Sequence, residues 1–513
     1  MTVAELIAPL AVQERRGGQA EQGSLDVEVR AVTDDSRQVK PGSLFVAVKG
    51  ERTDGHRYLA QAVAAGACGL VVEEMPANGA ADRAGSVPLF KVADTRQAVG
   101  LLAGRYHGDP SLRLRMIGVT GTNGKTTITY LCRGLLEAVG RKVGVIGTVA
   151  YVIGGEQVTA SHTTPGAVEL QGLLARMVGA GMDTVAMEVS SHALALDRTA
   201  GCEFDMAIFT NLTQDHLDFH TDMADYFRAK LRLFTGLTPD GRKAGPKRAV
   251  VNVDDERGLL VCAATRVPAW TYAIHRPADI MAERVALSLG GTTFTAATPA
   301  GRFPVESRLV GEHNVSNLLA AIGVGLHEGL SVPQIQEGLA SVGNVPGRFE
   351  RVEAGQDFTV VVDYAHTEDA LVRLLAAATK LKTGRIITVF GCGGDRDRGK
   401  RPKMGRAAAE ASDVVVLTSD NPRGEDPQAI LREVEVGVKA GVAARPAGQV
   451  RYEVVADRRD AIRLAVREAR AGDMVLIAGK GHEDYQIVGA QRLHFDDREE
   501  ARAAIAAAAQ RGG

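Results

Sequence analysis

The sequence predicts an α/β protein of three domains built on mostly parallel sheets. Three observations carry that expectation. At 513 residues the chain is too long for a single core and suits about three. Strand-like and helix-like segments alternate along most of its length, the pattern of parallel sheet with crossover helices. Two Gly/Pro joints, "GRYHGDPS" at 104–111 and "GNVPGRFE" at 343–350, cut the alternation into blocks. The expected domains are 1–108, 109–345 and 346–513.

The first block reads as a small α/β unit. "SLFVAVKG" is strand-like, "RYLAQAVAAGA" helical and "CGLVVEE" strand-like again. The second opens on a strand, a Gly-rich loop and a helix in "RMIGVTGTNGKTTITYLCRGLLEAVG". Strands follow at "KVGVIGTV", "DTVAMEVS" and "MAIFTNL", and alternation around 279–310 suggests an edge excursion. "EHNVSNLLAAIGVGLHEG" is expected to be helical. In the third block four strands, "FTVVVDYAH", "GRIITVFGCGGD", "DVVVLTSDNPR" and "DMVLIAGKGHEDY", end in Gly-, Asp- or His-rich loops, with helices expected over 368–380, 402–411 and 427–439. Ligands of open α/β sheets sit at such carboxyl ends.

Composition excludes several classes. Apolar content of 45% and charged content of 24% are ordinary for globular protein, and a net charge of −2 gives no electrostatic case for nucleic acid or an anionic membrane. The five cysteines (68, 132, 202, 262 and 392) lack CxxC spacing and read as reduced core thiols. No run reaches the roughly 18 apolar residues of a membrane span, and the start lacks the basic-then-apolar layout of a secretory signal. A cytoplasmic protein with neither nucleic-acid nor membrane partners is expected.

"TGTNGKTT" (120–127) is the clearest chemical motif. A Gly-rich loop between strand and helix aims backbone N–H groups at phosphate oxygens. Lys125 would reach the β- and γ-phosphates, and the Thr126 hydroxyl would bind Mg²⁺. The strict GxxxxGK[ST] pattern fails here, with Val119 at its first position. "GDRDRGKR" (394–401) does match GxxxxGK, but Arg401 replaces the required hydroxyl. Glu188 at a strand end and His216 beyond another could share a nucleotide-bound Mg²⁺ with Thr126. A cap or ion pair for Glu188, and an ordinary loop histidine for His216, are the plainer alternatives. Lys230 lies on an apolar helical stripe with Met223, Phe227 and Phe234, either snorkelling to water or wanted inside. Arg423, in the turn "SDNPRGEDP", carries a fork of donors suited to a carboxylate or phosphate. The plainer alternative pairs it with Asp426 or another surface acid.

Together, in this order, "GTNGKTT", "HTTPG", "MEVSSHAL", "FTNLTQDHLDFH", "EHNVSNLLAA", "PGRFE", "DYAHTEDAL", "GCGGDRDRGKRPKM", "DNPR" and "GKGHEDYQ" resemble the Mur ligases. The resemblance implies an N-terminal domain for the UDP end of the substrate, a central P-loop ATPase and a Rossmann-like C-terminal domain that closes over the site. It implies an ADP-forming amide ligase whose partners are small molecules: ATP, a UDP-muramyl dipeptide and an amino acid. Mg²⁺ is the implied metal and a monomer the expected state. Lys125, His216 and Lys230 are the implied catalytic residues. Lys230 resembles the lysine that is carbamylated in these ligases, and Glu188 and His216 match metal ligands. Gly121, Thr122, Asn123, Gly124, Thr126, Thr127, Asn317, Arg348 and Asp363 match nucleotide positions. Asp34, Ser36, Glu51, Arg52, Thr53, His162, Thr163, Thr164, Ser190 and Arg198 would hold the UDP-muramyl dipeptide. His162 stands where asparagine is often found and Leu196 where glutamine is common, while Glu368 replaces a usual proline.

"DNPR" is associated in this family with meso-diaminopimelate, whose distal carboxylate lysine and ornithine lack. Arg423 and Arg396 can grip it bidentately. Asp420, Asn421 and Pro422 would fix the turn, and Gly479 and Glu483 would take the distal ammonium and carboxylate. The alternatives are the same chemistry with ornithine or lysine, a folylpolyglutamate-type relative, or a nucleotide-binding regulatory module without turnover.

Overall fold

The computed structural model describes residues 1–16, 25–50, 53–76 and 87–512. Glu51 and Arg52 lie outside them. Three large sheets follow one another along the chain, joined by helices packed on their faces, and a two-stranded sheet of Tyr485–Val488 and Gln491–His494 comes after the last strand of the third.

The first has five strands in the order Glu14–Arg16, Leu89–Lys91, Gly69–Val72, Ser43–Val46, Ala31–Thr33. All pairs are parallel except the first. The second has eleven. Its centre is parallel: Val143–Ile146, Thr184–Glu188, Arg115–Thr120, Met206–Phe209, Arg248–Asn252, Ala269–Ala273 and Ile280–Ser288 in spatial order. Antiparallel strands Gly291–Thr298 and Gly301–Ser307 extend one edge, the excursion expected around 279–310. The third has six strands, with Thr359–Asp363, Met474–Ala478, Ile386–Phe390, Val414–Leu417 and Arg451–Val454 parallel.

Burial explains why these runs are strands. Val143–Ile146, Thr184–Glu188, Ile386–Phe390 and Met474–Ala478 are buried at every position, as in a sheet covered on both faces. Helices Lys125–Glu137 and Glu312–His327 cover one face of the eleven-stranded sheet, sharing a core with Ile117, Val119, Ile208 and Val250. The opposite face packs on Ala167–Gly179 and Met223–Thr235. Parallel strands point their carboxyl ends one way, so the loops after Thr120, Ile146, Glu188 and Phe209 crowd together.

Candidate active site

The loop 121–124 leaves the strand Arg115–Thr120 and enters the helix at Lys125. Gly121 has φ +147°, and a Cβ there would lie 1.8 Å from Thr210 Oγ1. No other residue fits that approach. The Thr210 hydroxyl donates to Asn123 O at 2.6 Å, and Asn123 N–H donates to Asn211 Oδ1 at 2.9 Å, so the next strand's loop braces this one. Thr122 Oγ1 meets the Tyr226 hydroxyl at 3.1 Å. Thr127 is buried. Asn317 Oδ1 would be 2.6 Å from a Cβ on Gly124, which places Asn317 directly against the loop.

Two lysines converge on one acceptor. Lys125 Nζ donates to Gly121 O at 3.0 Å and to Thr122 O at 2.8 Å; Lys230 Nζ donates to the same Gly121 O at 2.8 Å. Lys230 is 1% exposed, which rules out snorkelling. Its amine lies over the Tyr226 ring, 4.4 Å from the centroid. The stripe it shares is Tyr226, Ala229, Leu233 and Phe234, with Met223 and Phe227 at its margin. Burial, then the neighbouring Lys125 charge, holds the Lys230 amine well below the ordinary lysine range. Burial also lowers Lys125.

Glu188 ends its strand 1% exposed. It is neither a cap nor an ion-pair partner among the described residues. Oε1 accepts from Thr126 Oγ1 and Thr148 N–H, both at 2.9 Å, and Oε2 accepts from Thr148 Oγ1 at 3.0 Å. Arg348 Nη2 donates to Thr126 Oγ1 at 3.1 Å from beyond the second joint. The Arg348 guanidinium stacks 4.6 Å from the Tyr364 ring. Asp363 Oδ2 accepts from Phe349 N–H at 2.7 Å, and burial raises its carboxyl despite Arg348.

His216 sits at φ +57° with its ring edge-on to His192, 4.7 Å between centroids. Burial outweighs Asp215 beside it and pushes its imidazole down to about 3, so the ring is neutral near pH 7. The described residues hold no group of three or more His, Cys, Asp or Glu able to bind a metal. The donors present suit Mg²⁺ nonetheless. Thr126 Oγ1 and the Glu188 carboxylate are hard oxygen donors 2.9 Å apart, and Mg²⁺ commonly takes one or two carboxylates with substrate phosphates completing its shell. Glu188 and Thr126 would hold it.

Thr163, Thr164, Ser190 and Arg198 gather on the far side of Glu188. Thr163 Oγ1 meets Thr148 Oγ1 at 3.0 Å; Thr164 Oγ1 donates to Glu188 O at 2.8 Å and accepts from Ser190 N–H at 3.0 Å. Arg198 Nη1 donates to Thr164 O at 3.1 Å. His162 is exposed, its ring 3.4 Å from Ser161 Oγ. Asp34 and Ser36 follow the strand Ala31–Thr33, and Thr53 follows the neighbouring parallel strand Ser43–Val46 of the first sheet. Thr53 Oγ1 meets the Tyr58 hydroxyl at 3.1 Å.

On the third sheet, Asn421 is buried and bonded to three neighbours. Its Nδ2 donates to Glu483 Oε2 at 2.8 Å, and its Oδ1 accepts from Lys480 Nζ at 3.1 Å and Ile487 N–H at 2.9 Å. Burial and then Asp420 raise the Glu483 carboxyl. Gly479 has φ +120°, and its missing Cβ would meet Asp420 Oδ2 at 2.5 Å. Pro422 is buried and Arg423 has φ +50°. Arg423 does not pair with Asp426, which accepts from Gln428 N–H and lies 3.5 Å from Arg432 Nη2. Arg423 Nη1 instead donates to Gly394 O at 2.9 Å, and no carboxylate is within ion-pair range of it among the described residues. Arg396 is exposed, donating to Asp395 O at 2.9 Å. A Cβ on Gly393 would lie 2.8 Å from Arg423 Nη1 and 3.9 Å from Arg396 Cγ, so both arginines border one glycine.

Three contributors escaped the sequence analysis. Thr148 closes the Glu188 cluster; its signal was its place after the strand Val143–Ile146, in another carboxyl-end loop. Asp369 Oδ2 accepts from Asn123 Nδ2 at 2.8 Å, tying the phosphate loop to the third sheet's first helix. Lys480 is fully buried beside Asp420 and Glu483. A cavity of about 230 Å³ opens at this junction, lined by Asp215, Asp369, Lys400 and Lys403 among others. No helix among the described residues is long and apolar enough to cross a membrane.

Comparison with known proteins agrees with this architecture. Residues 28–107 match the Mur ligase family catalytic domain, 119–325 the Mur ligase middle domain, and 347–481 the Mur ligase glutamate ligase domain. A UDP-N-acetylmuramoyl-L-alanyl-D-glutamate–2,6-diaminopimelate ligase of Gloeobacter violaceus is 49% identical over 95% of this chain and 96% of its own. The protein of that name from Geobacillus thermodenitrificans is 47% identical over 93% and 95%. A solved structure, again of a UDP-N-acetylmuramoyl-L-alanyl-D-glutamate–2,6-diaminopimelate ligase, superposes with TM-score 0.69 at 33% identity over 99% of both chains. Identity at this level over nearly the whole length, with three Mur ligase family models matched in order, means that the chain belongs to the Mur ligase family.

Proposed function

We propose that the protein is the ATP-dependent, ADP-forming ligase that adds meso-2,6-diaminopimelate to UDP-N-acetylmuramoyl-L-alanyl-D-glutamate in peptidoglycan precursor synthesis. The observation that supports it most is Arg423, held beside Arg396 with no carboxylate partner among the described residues. Two guanidiniums at one glycine suit an incoming carboxylate. A lysine or ornithine side chain would leave them unpaired, and polar readout of that kind discriminates strongly.

The chemistry follows from the residues. ATP passes its γ-phosphoryl group to the D-glutamate carboxylate; the amino group of diaminopimelate attacks the acyl phosphate and phosphate leaves. Both reactants of the first step are anionic, so Lys125 and the loop N–H groups screen their repulsion. Bound Mg²⁺ would neutralise phosphate charge beside Thr126 and Glu188. Asn317, Arg348 and Asp363 would complete the nucleotide site from two sheets. Thr163, Thr164, Ser190 and Arg198 would seat the dipeptide end, and Asp34, Ser36 and Thr53 the uridine end. Lys230 would act as a carbamate: burial disfavours its charged form, and the neutral amine can add CO₂ and release a proton. We place the enzyme in the cytoplasm as a monomer, in keeping with its five free cysteines.

An amino-acid panel tests the reading. With ATP and the UDP-dipeptide, phosphate release is expected with meso-diaminopimelate and not with L-lysine or L-ornithine; the reverse pattern would sink it. Lys230→Ala is expected to be inactive and partly restored by short carboxylates; full activity without them would refute the carbamate.

A further inference from the structure

Arg401 is fully buried, in the first turn of the helix Lys400–Ala411. Its Nη1 and Nη2 donate to the two oxygens of Glu425 at 2.9 and 2.8 Å, a bidentate pair. Nη1 also donates to Glu433 Oε2 at 2.8 Å, and Nη2 to Gly393 O at 3.2 Å. Glu425 Oε1 accepts in addition from Asp395 N–H at 2.6 Å. One ion pair therefore touches both loops that carry Arg396 and Arg423: 393–396 through Gly393 and Asp395, and 421–425 through Glu425.

The same two loops are joined by backbone. Gly394 N–H donates to Asn421 O at 2.9 Å, and Gly424 N–H to Asp395 Oδ2 at 3.0 Å. A Cβ on Gly394 would lie 1.9 Å from Pro422 O, so the chains are in backbone contact. Arg423 N–H donates to Ile487 O at 3.0 Å and its carbonyl accepts from Gly489 N–H at 2.8 Å, which pins the turn on its other flank to the hairpin Tyr485–Val488 and Gln491–His494.

We infer that Arg401, through Glu425, is a positioning residue that sets the spacing of Arg396 and Arg423 and so governs selection of the amino-acid substrate by its distal carboxylate. The inference rests on the diaminopimelate reading above. Arg401 is fully buried, its Nη1 and Nη2 are held by Glu425, Glu433 and Gly393, and its Nε has no partner among the described residues. A bidentate grip on a carboxylate needs both forks aligned, and misplacement of about 1 Å costs up to about a hundredfold in such sites.

The test uses the full-length enzyme with ATP and UDP-dipeptide, and the variants Glu425→Gln, Arg401→Lys, Arg423→Ala and the double Glu425→Gln/Arg423→Ala. Glu425→Gln keeps the side-chain shape and is the primary variant. Expected is a rise of about tenfold or more in KM for diaminopimelate, with KM for ATP within about twofold and kcat at saturating amino acid largely kept. Selectivity over L-lysine falls with it. The double variant should be no worse than Arg423→Ala alone, because both act through one grip. An unchanged diaminopimelate KM in Glu425→Gln and Arg401→Lys, or a uniform loss across all substrates that follows melting temperature, overturns the inference. A parent enzyme that uses lysine and ignores diaminopimelate overturns the underlying reading and the inference with it. A parent that selects diaminopimelate while Glu425→Gln behaves like it overturns the inference alone.

Discussion

Two loops of this molecule carry the same Gly-Lys pair at the start of a helix and put it to different ends. Gly124-Lys125 opens the helix Lys125–Glu137 on the second sheet, and Gly399-Lys400 opens Lys400–Ala411 on the third. Gly124 is left-handed at φ +89°, whereas Gly399 is helical at φ −63°. The residue after each lysine decides the rest. Thr126 offers a hydroxyl to Glu188, at the start of the helix that the Gly-rich loop enters. Arg401 turns inward and fastens two neighbouring loops through Glu425. A Gly-Lys at a helix start is thus a geometry; the side chain that follows makes it an anion cradle or a rivet.

Five changes would break or sharpen that contrast. The largest effect is expected at the first loop. Lys125→Ala should lower ATP-dependent phosphate release by roughly a thousandfold, the scale of losing one preorganised donor to a developing phosphate charge. Gly121→Ala should abolish it, since its methyl would sit 1.8 Å from Thr210 Oγ1; near-normal release in either variant would mean that this loop is not the cradle. At the second loop the expected loss is in stability. Arg401→Thr, which imposes the first loop's residue on the second, should lower unfolding free energy by about 3 kcal/mol in urea titration, the low end for a broken buried pair because its glutamates are partly exposed.

The pH profile should separate the loops again. Arg401 holds the Glu425 carboxyl down from 4.5 to about 2. Between those values the unfolded chain binds the proton more readily than the folded one, so this contribution is full above about 4.5 and lost as pH falls toward about 2. The urea midpoint difference between the parent and Glu425→Gln should therefore shrink below about pH 4.5; a constant difference would show that the pair is not what the carboxylate contributes. The smallest effect is expected at Gly399→Ala. That backbone is already helical and its Cβ would meet only Asp397 Oδ1, at 3.1 Å. Stability should rise by roughly 0.5 kcal/mol from the stiffer unfolded chain, the opposite of Gly121→Ala.

The contrast also shows what could be read before the fold was known. The alternation of strand and helix gave the parallel sheets, since fully buried strands must be apolar throughout. Thr126 and Glu188 could be paired as oxygen donors because Glu188 ends a strand and Thr126 opens the helix after a neighbouring strand's loop, at the same end of an α/β sheet. Lys230 could be singled out because a lysine on an apolar face conflicts with its surroundings. Arg401 was legible only as the lack of a hydroxyl; its partner Glu425 lies on another loop, and nothing local joins them. Asn123 and Asp369 are 246 residues apart, so no periodicity could bring them together. Asn421 was read as part of a ligand turn, and its contacts to Glu483, Lys480 and Ile487, all more than 50 residues away, could not be read from the turn itself. Propensity describes a turn, and only packing says which way its side chains face.

The contacts between the sheets carry a further consequence. Arg348 and Asp369 reach from the third sheet to Thr126 and Asn123 in the phosphate loop. A ligand that takes over the Thr126 hydroxyl or moves Asn123 changes what the third sheet holds on to. By thermodynamic reciprocity, whatever factor such a ligand imposes on affinity at the Arg396–Arg423 end, a ligand there returns to the phosphate loop. Each substrate's dissociation constant is therefore defined only together with the occupancy of the other site.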